Sequence, residues 1–425
     1  MWRVGLVVEL VVFEVVAACG ARFPASPLDE GPAWTELTSE HFTVWTDGDP
    51  SRVCELIRRM ERLREVTTGV VYPTAPASGR ALAIVLRDDE ELGTVANTGE
   101  PRAFSQSATG PLWQPVVVLS LTSSEHPTVA HELTHLVSFG AIRHQPRWLA
   151  EGMATYFESM ELDATRTTVK IGVAPSRYRR DARIVPAPEL FDWSRMLSRN
   201  QEYQLYRTAW ALFAFLRNEY PNELAHYLWL IDRVDEPMNG TWRIQHQRAW
   251  EQGFPSLPID QVHAKLEHWL RYGSHMELLF YVHPKESRIT ARRLGDADVH
   301  AIRAVILGGP TAGQASRERG EIEQALAAEP TNVLAWVLKV ARGDRPSVAA
   351  GRSIAAAHPD DWRAWWLATM ALDDGRGDAG ELEAARRRAC GLLARNRALV
   401  APPRLCPGAQ LPPITADRAA LAPPM

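Results

Sequence analysis

The chain has 425 residues, 46% hydrophobic and 23% charged, with a formal net charge of -4. Such a composition builds buried cores, and the length suits roughly three domains. Near-neutral charge excludes a strongly basic nucleic-acid binder and a polybasic membrane surface, so no nucleic acid is expected as a partner.

The first 20 residues read MWRVGLVVELVVFEVVAACG. Arg3 gives a short basic start, an apolar run follows, and small residues precede Cys19. This is the layout of an export signal, too short and interrupted for a spanning helix. Its end, Val16-Ala17-Ala18-Cys19, resembles a bacterial lipobox. That resemblance implies a lipid on Cys19 and an exported, membrane-anchored lipoprotein, periplasmic or at the cell surface. Glu9 and Glu14 depart from the pattern, because carboxylates in an apolar run oppose insertion. Other export and an unprocessed start are the alternatives for residues 1–19. Of the remaining cysteines, Cys390 and Cys406 are close enough in sequence to pair in an oxidising compartment. The plainer expectation is that they and Cys54 are unpaired thiols. No CxxC occurs, so no cysteine-based zinc site is indicated.

Residues 34–46, WTELTSEHFTVWT, read as a turn leading into a strand. From Arg52 to Val66, Val53, Ile57, Met60, Leu63 and Val66 recur at helical spacing. RALAIVLR (80–87) and QPVVVLSL (114–121) are strand-like runs, so residues 30–121 form a small α/β layer. Residues 122–285 turn mainly helical, with helices over about 126–140, 147–160, 202–218, 222–235 and 258–272. The stretch VKIGVAPSRYRRDARIVPAPELFDW reads as irregular, either a substrate-shaping loop or a surface excursion. Over 298–400 alanine rises, and AAEPTNVLAWVL (Ala327–Leu338) aligns with AAHPDDWRAWWL (Ala356–Leu367) 29 residues later. The pairing resembles tetratricopeptide-type hairpins, though their usual period is ~34. It implies a small all-α repeat module able to dock a protein partner. The tail, 401–425, holds seven prolines without periodicity and reads as disordered. The fold class is α+β.

The chemistry concentrates in TVAHELTHLVSFG and PRWLAEGMATYFES. On a helix over Thr128–Phe139, Val129, Leu133, Leu136 and Val137 share one apolar stripe. His131 and His135, one turn apart, fall together on the opposite side. Ser124 can cap the start and Gly140 ends the helix. Two imidazoles at this spacing suit a tetrahedral Zn2+, and Glu132 beside the first can reach a water there; this is the HExxH pattern. The plain alternative is an exposed polar face. In the next helix Leu149, Met153, Tyr156, Phe157 and Met160 share an apolar arc, while Glu151 and Glu158 lie across from it. Gly140 and Pro146 between the helices permit a hairpin in which Glu151 faces both histidines as third ligand. Gly152 lets the two helices approach. Glu158, two turns beyond Glu151, reads as a solvated cleft-wall residue, and His126 as a turn residue.

HELTH followed by WLAEGMATYFES resembles the gluzincin zinc metallopeptidases, especially bacterial peptidase MA-like proteins with WLxEGxAxYxE. The resemblance covers about residues 30–275. It implies a zincin-like catalytic region in which His131, His135 and Glu151 bind zinc and Glu132 is the general base. LYRTAWALFAFL resembles the tyrosine-bearing helix that often follows, which implies Tyr206, or else Tyr203, as oxyanion donor; the alternative is a core tyrosine. Thermolysin-like gluzincins carry an aspartate four residues after the glutamate ligand, where this chain has Thr155. Support for a zinc histidine would then come from Thr155 or a backbone carbonyl. The implied activity is zinc-dependent hydrolysis of peptide or protein substrates. The alternatives are a catalytically idle lipoprotein scaffold that binds through its C-terminal repeats, and a non-peptide zinc amidohydrolase.

Overall fold

The computed structural model describes Phe23 and residues 25–406, apart from 72–79, 97–102, 107–111, 113, 115, 125–126, 143–144, 163–167, 174–182, 194–198, 232–241, 274–276, 283–287, 309–311, 374–377 and 397–404. The export segment with Cys19, His126 and the tail beyond 406 lie outside the described residues.

The chain begins with β1 (Thr35–Thr38), β2 (Phe42–Thr46), α1 (Pro50–Val71), β3 (Ala81–Leu86), α2 (Asp89–Ala96), β4 (Ala103–Gln106) and β5 (Val116–Ser120). The stretch expected as a turn and one strand is therefore a hairpin. Ser39 N donates to Phe42 O, and the Ser39 hydroxyl donates to Glu61 of α1 at 2.7 Å. The middle of the chain supplies α3 (Pro127–Ala141), α4 (Arg147–Glu158), β6 (Glu161–Leu162), β7 (Thr168–Ile171), α5 (Ala187–Phe191), α6 (Arg199–Glu219), α7 (Pro221–Ile231), α8 (Trp242–Gly253), α9 (Ile259–Tyr272), β8 (Leu278–Tyr281) and β9 (Thr290–Arg293). The last part is helical: α10 (Asp296–Leu307), α11 (Ala312–Ala328), α12 (Val333–Ala341), α13 (Val348–Ala357), α14 (Trp362–Leu372) and α15 (Ala379–Asn396).

A six-stranded sheet has the order β4-β5-β3-β2-β1-β9. β2, β3 and β5 run parallel, while β4 and β1 are antiparallel to their neighbours. β3 is apolar throughout and β5 apolar up to Ser120, because helices cover both faces. Ala83, Val85, Val117 and Leu119 pack with Val53, Ile57 and Met60 of α1 and Val129, Leu133 and Leu136 of α3. Leu82, Ile84, Val116 and Val118 point the other way, onto Val299, Ile302 and Ile306 of α10. This is the two-residue alternation of a pleated strand. The C-terminal helices thus share a core with the sheet, and β9, read as no element from sequence, closes the edge beside β1.

The stretch read as irregular begins with β7, whose Val169 and Ile171 are fully buried and which lies between β6 and β8 in a second, three-stranded sheet. A third core surrounds α4 and α6, where Trp148, Met153, Tyr156 and Phe157 meet Ala209, Phe213, Tyr227 and Trp250. Burying each of the larger side chains contributes roughly 1.5–3 kcal/mol.

The 29-residue offset in the sequence has a physical counterpart. Trp336 Nε1 donates to Pro330 O and Trp365 Nε1 to Pro359 O, each at 2.9 Å. Asn332 caps α12 and Asp361 caps α14. Each unit is a helix pair turned at proline and locked by its own tryptophan. Cys390 and Cys406 form a disulfide, which corrects the expectation of unpaired thiols. Leu405 is buried in the core of this layer, and its docking brings Cys406 to a Cα–Cα distance of 5.8 Å from Cys390 of α15. Cys54 remains a free thiol. Among the described residues no helix is long and apolar enough to cross a membrane.

Candidate metal centre

α3 starts at Pro127, whose ring presets a helical φ and whose missing N–H falls among donors that a helix start leaves free. Its apolar stripe packs on the sheet, which turns His131 and His135 toward α4. α4 in turn is entered through Pro146, whose carbonyl accepts from Leu149 N and Ala150 N. The two helices run antiparallel, so that Glu151 meets both histidines while the later Glu158 meets the earlier one.

His131 Nε2 and His135 Nε2 are 3.2 Å apart, and Glu151 Oε2 lies 3.3 Å from the first and 3.4 Å from the second. A tetrahedral ion with bonds near ~2.0–2.1 Å sets its ligand atoms about 3.3–3.4 Å from one another. The trio therefore has the dimensions of three corners of such a tetrahedron. Glu151 Oε2 is also buried without a hydrogen bond of sound geometry, as an oxygen waiting for a cation would be. Among the described residues these are the one group of three histidine, cysteine or acidic side chains able to share a metal ion.

The electrostatics agree with the geometry. Burial pushes the His131 imidazole down, but Glu151, Glu158 and Glu132 outweigh it and raise its pKa to about 10. Burial pushes the Glu151 carboxyl up, and the two histidines pull it well below the usual carboxylate range. The three carboxylates thus favour positive charge at this ring. Glu132 is half-buried beside this ring.

Three expectations are corrected. Glu158 is not solvated: its side chain is 6% exposed and its Oε2 lies 3.7 Å from His131 Nδ1. Thr155, considered as support for a histidine, is buried with a hydroxyl that makes no hydrogen bond. Gly152 does allow a close approach, but to α6 and not to α3. A Cβ there would stand 2.6 Å from Ala209 O and 3.2 Å from Phe213 Cβ. The carboxylates project toward α3 because the neighbouring glycine faces the opposite helix.

Tyr206 and Tyr203 separate clearly. The Tyr206 ring lies 6.2 Å from the His131 ring and 5.1 Å from Trp193, whereas Tyr203 is 42% exposed. Burial and the Glu151 charge push the Tyr206 hydroxyl up, so it stays protonated through the neutral range, with Arg147 opposing the shift. Arg147 was missed from sequence. It stands one turn before Glu151 at 3.8 Å, stacks over Trp193 at 4.6 Å and bonds Glu202 of α6 at 3.2 Å. Its i,i+4 spacing from Glu151 was the available signal.

A family model described as "Protein of unknown function (DUF1570)" matches residues 125–236. The matched segment contains α3, α4, α6 and α7, and so every residue of the trio together with Glu158 and Tyr206. The likeness carries no activity with it. No curated protein matches the chain.

Proposed function

We propose that this chain is a zinc-dependent peptidase of gluzincin type, with His131, His135 and Glu151 as metal ligands. The observation that carries the reading is the Nε2–Nε2–Oε2 triangle, with edges of 3.2, 3.3 and 3.4 Å. When bound, zinc would supply Lewis acidity to a water and to a substrate carbonyl. Glu132, adjacent to the first ligand, takes a proton from the attacking water and returns it to the leaving amine. Tyr206 donates its hydroxyl hydrogen to the carbonyl oxygen as negative charge develops there. The Trp193 ring and Arg147 hold that tyrosine in place.

A peptide is favoured over a compact amide substrate by β4. It is the last strand of its sheet on the side where α3 packs, and among the described residues no strand pairs with its outer edge. Such an edge offers backbone groups to an extended chain. The disulfide fits an exported protein, for which Cys19 supplies the anchor in this reading. The C-terminal helix pairs are read as a TPR-like module that docks the substrate or a protein partner.

The test is metal analysis of freshly purified protein joined to cleavage of a diverse peptide library by wild type and Glu132→Gln. About one zinc per chain is expected in both proteins, with hydrolysis in the wild type alone. Absence of zinc from the wild type would remove the centre. Zinc without cleavage of any peptide would favour the idle scaffold.

A further inference from the structure

We propose that a cavity between α6 and α9 is a binding site for a small zwitterion, one that joins an alkylated ammonium to an anionic group, as phosphocholine does. The cavity has a volume of about 590 Å³, within the size range of small-molecule sites. It lies apart from the metal centre and does not depend on the zinc reading. Phe215, in its wall, follows Tyr206 by nine residues on α6, so the two rings are roughly 14 Å apart along the axis and leave opposite faces of the helix.

Four aromatic rings shape the pocket: Phe215, Tyr220, Trp269 and Tyr272. Phe215 meets Tyr220 at 5.4 Å and Trp269 at 5.8 Å, tilted rather than stacked, so the three form a continuous wall. Phe215 and Trp269 are buried, whereas Tyr272 is 74% exposed. Gly273 ends α9 by donating its N–H to Trp269 O at 2.7 Å, and a Cβ there would collide with the indole. Only a residue without a side chain leaves that wall in place. Aromatic faces attract cations, and alkylated ammonium groups are the ligands that cages of such rings take.

The charged groups of the lining narrow the choice. Glu219 ends α6, and Lys265 shares a stripe of α9 with Trp269 and Tyr272, at offsets of four and seven residues. Among the described residues Glu219 has no ion-pair partner, and Lys265 donates to Ser256 O at 3.4 Å. A simple cation would be repelled by Lys265, and a simple anion by Glu219. A ligand that carries both charges a few bonds apart satisfies the two residues while its alkyl groups cover the rings. His268, 5.0 Å from the Tyr272 ring, adds a ring nitrogen able to donate to the anionic end.

The test is calorimetric titration of the full chain with phosphocholine, phosphoethanolamine and inorganic phosphate, repeated on Tyr272→Ala and Glu219→Gln. Both side chains are exposed, so the thermal midpoints of the variants should stay near wild type. Phosphocholine should bind more tightly than the other two probes, and each variant should weaken it by about 2–10-fold. Sedimentation with vesicles of phosphatidylcholine or of phosphatidylglycerol separates the sources of this chemistry. Capture by phosphatidylcholine vesicles that free phosphocholine reverses would identify a lipid headgroup. Binding of free phosphocholine without such capture would identify a soluble ligand. The proposal is overturned by a wild type that binds no phosphocholine or binds it no more tightly than either other probe, and equally by unchanged affinity in both variants.

Discussion

The helices on the two faces of the sheet treat buried charge in opposite ways. In the C-terminal layer several basic groups meet their own carboxylates. His300 Nδ1 lies 2.6 Å from Glu321, Arg363 pairs with Asp361 at 2.7 Å, and Arg342 pairs with Glu318. On the other face, α3 and α4 gather Glu132, Glu151 and Glu158 around two imidazoles. In the C-terminal layer two of the pairs join separate elements, His300 of α10 to Glu321 of α11 and Arg342 at the end of α12 to Glu318 of α11, and the third sits at the start of α14. The α3–α4 group has more negative than positive charge and an oxygen, Glu151 Oε2, that faces only ring nitrogens. Compensated charge in one layer is architecture, and the excess in the other asks for a cation.

That contrast can be broken experimentally, beginning with the site. Glu132→Gln should lower peptide hydrolysis by about 10²–10⁴-fold while bound zinc stays near wild type, measured by turnover and metal content on one sample. In the other layer Cys390→Ser should lower stability by about 3 kcal/mol, the value for a loop of this length, with zinc affinity untouched. Denaturant melts and chelator competition on the same variant separate the two outcomes; a fall in zinc affinity would show that the layers are coupled.

A pH effect should arise where the sheet meets α2. Burial, reinforced by the Asp47 charge, raises the Glu91 carboxyl to about 8, against its ordinary 4.5. Between these values the folded protein keeps a proton that the unfolded chain releases, so stability falls as pH rises through the window. Glu91→Gln should flatten that fall and leave the variant the more stable protein above pH 8, as read from thermal midpoints at several pH values. An unchanged slope would place the titration elsewhere. Smallest is Trp365→Phe, which removes one partly solvated hydrogen bond to Pro359 O and should cost about 1 kcal/mol. A much larger loss in its melt would mean that the turn governs the whole repeat pair.

Much of the candidate metal centre was legible because it is local. His131 and His135 share a face through the pitch of one helix, and Glu151 follows within a short hairpin. The five helices read between residues 126 and 272 agree with the structure to within about a turn, since each carries several periods of apolar residues, whereas α8 (Trp242–Gly253), of mostly polar sequence, was missed. β4 and β6–β9 were not anticipated: they are two to four residues long, too short for alternation to register. The disulfide was weighed and set aside because nothing local reveals that Leu405 docks in a core.

By itself, then, the sequence determined the parts of this protein that depend on the pitch of a helix or the pleat of a strand: the histidine face of α3, the facing carboxylate of α4, the repeated Pro–Trp turn. Tertiary structure alone decided what each of those faces meets. It made Glu158 and not Thr155 the neighbour of His131, turned Gly152 toward α6, set Tyr206 rather than Tyr203 beside the site, and added β9 to a sheet begun some 250 residues earlier. The reason is physical. Backbone periodicity is a property of neighbouring residues, whereas burial and partner choice depend on helices and strands that chain separation does not encode.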